Sequence, residues 1–114
     1  MRLTEIIRLT NAKLVVGDAI ENKDVQKAFS SDLMSDVLTL DEENILLITG
    51  LSNIQLIRTA EMAEVDVVLI ARDKKASDDM IQLAIDNDLV LLETPYSVFK
   101  TSGILFSNGL NPVY

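Results

Sequence analysis

The stretch Ile45-Leu46-Leu47-Ile48-Thr49-Gly50-Leu51-Ser52-Asn53 decides the fold. It opens after the polar run Asp41-Glu42-Glu43-Asn44 with an unbroken apolar segment of strand length. A strand apolar on both faces belongs in a parallel sheet covered on both sides. Residues 50–53 read as a turn. Beyond it, Leu56, Ile57, Ala60 and Ala63 recur at helical spacing.

The unit then repeats downstream. Residues 65–71 read as a second apolar strand and Arg72-Asp73-Lys74-Lys75 as its loop. Ser77 caps the next helix, with Asp78 and Asp79 in the first turn, where the helix dipole favours them. Met80, Ile81, Ala84 and Ile85 form its expected inner face. Residues 89–93 give a third strand. Thr94-Pro95 has the form of an N-cap followed by proline at the first helical position. The last helix is expected to turn Val98, Phe99, Ser102 and Leu105 or Phe106 inward and to end at Ser107-Asn108-Gly109. A loose tail is expected over 108–114.

Working upstream, residues 3–9 fit a short amphipathic helix with Thr4 as cap, and residues 13–17 a strand and turn. Residues 18–27 read as a loop with a weak strand near Val25. Residues 28–38 read as a helix capped by Ser30 or Ser31, with Leu33, Met34, Val37 and Leu38 inward. Consecutive strand–helix units imply parallel strands joined by right-handed crossovers. The expected class is α/β, a small three-layer-like domain with a mainly parallel sheet, spanning 1–114 as one domain.

Composition narrows the chemistry. The 114 residues contain no Cys and no His. That excludes a thiol nucleophile, a disulfide, cysteine-held iron–sulfur and a Ser-His-Asp triad. Neither a cofactor nor a metal is expected. Net charge is −8, from 18 acidic and 10 basic residues, the wrong sign for a phosphate-backbone footprint, so no nucleic acid is expected. No stretch approaches 18 apolar residues, and no apolar leader precedes residue 10, so the reading is cytoplasmic, with no membrane partner.

Three constellations stand out. Ser31-Asp32 and Ser35-Asp36 sit four residues apart, so that Asp32 and Asp36 form a like-charge pair if both are helical. They read either as a site for a ligand or second subunit, or as the wet outer face of a capped helix. Gly50, Ser52 and Asn53 join a strand end to a helix start, where open α/β sheets hold anions. They lack the Lys-Ser/Thr of a P-loop and the glycines of a dinucleotide fingerprint, and capping alone also accounts for them. Arg72, Lys74 and Lys75 form the basic cluster and would share that rim, or simply line a solvated loop. Hard oxygen donors at Asp32 and Asp36, with Asp24, would be the only metal arrangement to consider.

The chain resembles a DRTGG domain. The matching residues are 31–37, Ser-Asp-Leu-Met-Ser-Asp-Val; then Ile48-Thr49-Gly50 with Asn53-Ile54; then 65–70; then 89–94 with Ser97, Phe99 and Gly103. The resemblance covers about residues 13–107. It is similar, more distantly, to the N-terminal domain of HPr kinase/phosphorylase. The name-giving Asp-Arg-Thr-Gly-Gly motif is absent: residues 22–28 read Asn-Lys-Asp-Val-Gln-Lys-Ala. The resemblance implies a compact α/β domain, occurring alone or beside CBS domains, with dimeric and regulatory behaviour rather than a defined reaction.

The combined expectation is a non-catalytic regulatory or ligand-sensing module, not an enzyme, acting as a homodimer. Ser31, Asp32, Ser35 and Asp36 are its expected interaction residues, toward a second subunit, a ligand or a partner protein. The alternative is a small-anion or nucleotide binder using Gly50, Ser52, Asn53, Arg72, Lys74 and Lys75.

Overall fold

The computed structural model describes all 114 residues. In chain order it contains α1 (Leu3–Thr10), β1 (Lys13–Val16), a 3-10 turn (Ile20–Asn22), β2 (Lys27–Ser30) and α2 (Met34–Val37). There follow β3 (Ile45–Thr49), α3 (Ile54–Met62), β4 (Val67–Ile70), α4 (Asp78–Asp86), β5 (Val90–Glu93), α5 (Val98–Ser107) and β6 (Asn111–Pro112).

The strands make one six-stranded sheet in the order β1-β5-β4-β3-β2-β6. All neighbours are parallel except β1 and β5. The alternation of side chains along each strand splits the core in two. Ile45 and Leu47 of β3, with Val68 and Ile70 of β4, pack against α2, α3 and α4. Leu46 and Ile48, with Val67 and Leu69, pack against α1 and α5. The result is the expected α/β class, a mostly parallel sheet between two helical layers. No helix is long and apolar enough to cross a membrane.

The strand–helix units from 45 to 93 follow the sequence reading closely, except that α4 buries Met80 and Ala84 while Ile81 is half-buried and Ile85 is exposed. Asn53 and Ser77 cap α3 and α4, accepting from the amides of Leu56 and Met80. Four segments differ. Residues 27–30 are a strand, not the start of a helix, and α2 is a single turn in which only Val37 is buried while Leu33 and Leu38 face water. The strand wins because its backbone pairs with β3 on one side and β6 on the other.

The cap of α5 is Ser97 rather than Thr94; the Thr94 hydroxyl instead donates to the Thr10 carbonyl at 2.6 Å, tying β5 to the end of α1. The inner face of α5 is Thr101 and Leu105, so Phe99 and Phe106 are exposed. Thr4 lies within α1, which starts at Leu3 after Arg2 without a side-chain cap. The segment 108–114 is not loose as a whole. Leu110 is buried, β6 pairs with β2, and the Val113 amide donates to the Ala28 carbonyl at 3.1 Å.

Candidate functional site

The loops after β2, β3, β4 and β5 converge at the C-terminal ends of the parallel strands. There the backbone itself links them. The Ser31 amide donates to Ile48, Ala71 to Thr49, Arg72 to Tyr96 and Asp73 to Thr94. Arg72 and Asp73 take left-handed backbone angles, φ 65 and 59, to make that approach.

Asp32 organises this rim. Its Oδ1 accepts from the Thr49 hydroxyl at 2.9 Å and from the Gly50 amide at 2.7 Å. Ser31 closes the turn before it, its hydroxyl oxygen accepting from the Leu33 amide at 3.0 Å. Both residues therefore precede α2, and the expected helical pairing of Asp32 with Asp36 does not form. Ser35 and Asp36 lie on the exposed side of α2, and neither side chain has a hydrogen-bond partner or salt bridge. The structure thus separates the four residues into two that hold loops together and two that face solvent.

Gly50 is buried because the Arg72 side chain and the Asp32 carboxylate lie across it. A Cβ at this position would meet Arg72 Cδ at 3.0 Å, Arg72 Nη1 at 3.2 Å and Asp32 Oδ2 at 3.3 Å. Arg72 makes no salt bridge, and Lys74 makes none either. Lys75 reaches Asp73 at 3.3 Å and Glu93 at 3.9 Å. Ser52 donates to the Lys75 carbonyl at 2.6 Å, so it braces the loop before α4, while Asn53 caps α3. Gly50, Ser52, Asn53, Arg72, Lys74 and Lys75 thus do lie at one edge of the sheet, with the α3 N-terminus.

Glu93 is the polar residue that pattern reading passed over. Only 6% exposed, it accepts from the Ala76 amide at 2.7 Å and so fixes the approach to α4. A carboxylate ending an otherwise apolar strand was the available signal, since a buried charge needs a partner. Asp24, Asp32 and Asp36 do not gather, and no three acidic side chains form a group suited to a metal ion.

The main apolar concavity lies elsewhere, between α5, β2 and β6. It has a volume of about 420 Å³ and no Asp, Glu, Lys or Arg in its wall. Phe29 and Tyr114 meet edge to face at 6.0 Å on one side, and Phe99 and Phe106 stand on the other. Ser30 and Ser102 share a 2.7 Å hydrogen bond in its wall.

No family model and no curated protein sequence matches the chain. Among solved structures it is similar to the CBS and DRTGG domains of the regulatory region of Clostridium perfringens pyrophosphatase, determined with the activator diadenosine tetraphosphate. The TM-score is 0.71 at 15% identity over 90% of this chain. The fold is DRTGG-like. The match spans 45% of that structure's length, so this chain corresponds to less than half of the pyrophosphatase fragment. At this identity the likeness concerns the backbone, and it agrees with the family resemblance carried by residues 31–37, 48–54 and 89–103.

Proposed function

We propose that this chain is a non-catalytic regulatory domain that senses a small anionic ligand, a nucleotide or related phosphate compound, and acts as a homodimer. The observation that carries the ligand reading is Arg72, laid across Gly50 beside Oδ2 of Asp32 but in no salt bridge. Gly50 in turn leads into the N-terminus of α3, where backbone amides and the helix dipole favour negative charge. Lys74 supplies a second uncommitted cation in the same loop as Arg72.

The acidic groups of the rim support a binding role over a catalytic one. Oδ1 of Asp32 and Oε2 of Glu93 are spent on backbone amides and a hydroxyl, which commits them to positioning loops. The likeness to a pyrophosphatase regulatory region with a dinucleotide activator supports the same class of ligand.

The test is a thermal-shift panel of adenine nucleotides, diadenosine polyphosphates, acyl phosphates and phosphosugars. A ligand at 100 times its dissociation constant adds about 2.7 kcal/mol of stability. At least one phosphate compound should raise the melting temperature, and Arg72→Ala should abolish the shift. Absence of a shift with every member rejects the ligand reading. A solution mass equal to one 12.6 kDa chain at all micromolar concentrations rejects the homodimer.

A further inference from the structure

The homodimer reading above leaves open which surface joins the two copies. The geometry points to the α5 face, with a second copy of this chain as the occupant of the groove between α5, β2 and β6.

Three observations lead there. The first is area. Phe99 is 89% exposed, Tyr114 83% and Phe106 67%. With about 150–250 Å² per aromatic side chain, these three leave on the order of 450 Å² in water. That is more than half of the roughly 800 Å² that each partner contributes to a standard interface.

The second is charge. Each copy carries a net −8, so most pairs of faces repel. The groove wall contains no Asp, Glu, Lys or Arg. Two copies can meet here without burying like charges, which interfaces avoid at their centres.

The third is shape. A two-fold interface needs projections and recesses on the same patch. Phe99, Gly103 and Phe106 fall on one side of α5, at helical spacing. Gly103 lines the groove without a side chain, and a Cβ there would stand in open space. An aromatic ring of the second copy can enter beside it while its own neighbours are received in turn. Strand addition at this edge is not the mode, because β6 is two residues long and contains Pro112.

Sedimentation equilibrium on the full chain tests this against three variants, Phe99→Asp, Phe106→Asp and Gly103→Trp. The wild type should be a dimer. Each variant should raise the dimer dissociation constant roughly 30-fold or more, as at interface hot spots. Circular dichroism and urea midpoints check folding. Phe99 and Gly103 are surface positions, so those two variants decide the matter even if Phe106→Asp is unstable. A wild-type dimer that persists in Phe99→Asp and Gly103→Trp overturns this face while leaving the homodimer standing. A monomeric wild type overturns both, and the groove's occupant is then a small apolar ligand or another protein.

Discussion

Oδ1 of Asp32 lies 2.7 Å from the amide nitrogen of Gly50, 18 positions along the chain, and also receives the Thr49 hydroxyl. One carboxylate oxygen thereby fixes the crossing of two loops on adjacent parallel strands. Asp32→Ala would leave the buried Gly50 amide and Thr49 hydroxyl without this acceptor. An unsatisfied buried donor costs about 1–3 kcal/mol, and solvent access at the rim places this one in the lower half of that range. Asp32→Asn keeps an acceptor and should cost less than Asp32→Ala. Urea titration of both variants checks the order.

Glu93 performs the equivalent task for the loop leading into α4. Removing its carboxylate in Glu93→Ala strands the Ala76 amide and should destabilise by about 1–3 kcal/mol. Glu93→Gln retains an oxygen at the same reach and should recover much of that loss. Equal losses in the two variants would mean that the charge, through Lys75, matters more than the hydrogen bond.

Thr101 is fully buried on α5 and its hydroxyl has no partner. Thr101→Val replaces the hydroxyl with a methyl group of similar size. The expected result is a gain of about 1 kcal/mol in unfolding free energy, since the buried polar group no longer goes unpaired. A loss of stability would show that the hydroxyl is bonded in solution.

On α1, the hydrogen bond from Arg8 holds the Glu5 carboxyl below its ordinary value, and burial opposes this only in part. A group depressed in the folded state stabilises above its unfolded pKa, and that contribution fades as pH falls through the folded value. Both side chains are exposed, so the effect belongs to titration rather than to global stability. Carboxylate chemical shifts should place Glu5 below an unpaired glutamate, and Arg8→Ala should return it to the ordinary range.

The sequence makes the centre of the molecule legible and its flanks less so. Residues 45–93 alternate between uniformly apolar strands and capped helices, and each signal points the same way. Lys27–Ser30 is harder, because four mixed residues become a strand only through neighbours on both sides. α5 misleads for another reason. Val98, Phe99, Ile104, Leu105 and Phe106 are spread around it, so periodicity does not select a face. The structure turns the small Thr101 and Leu105 inward and leaves two phenylalanines out.

At the candidate site, the Ser–Asp pairs could be found from composition and spacing. Their division could not. It depends on where α2 begins, and that is set by the pairing of β2. Glu93 and Thr49 were visible only as polar ends of apolar runs, and their partners lie in loops distant in sequence.

The pairing of β6 with β2 has a consequence for synthesis. β2 is made early, whereas the strand that covers its outer side is made after all the others. Until residues 111–113 have left the ribosome, Lys27 and Ala28 line an open sheet edge beside Phe29. A nascent chain stalled short of that point would be a template for pairing with its neighbours on the same message. Residues 111–113 therefore act as a seam along the outer side of β2, and that side is covered only once they are available to pair.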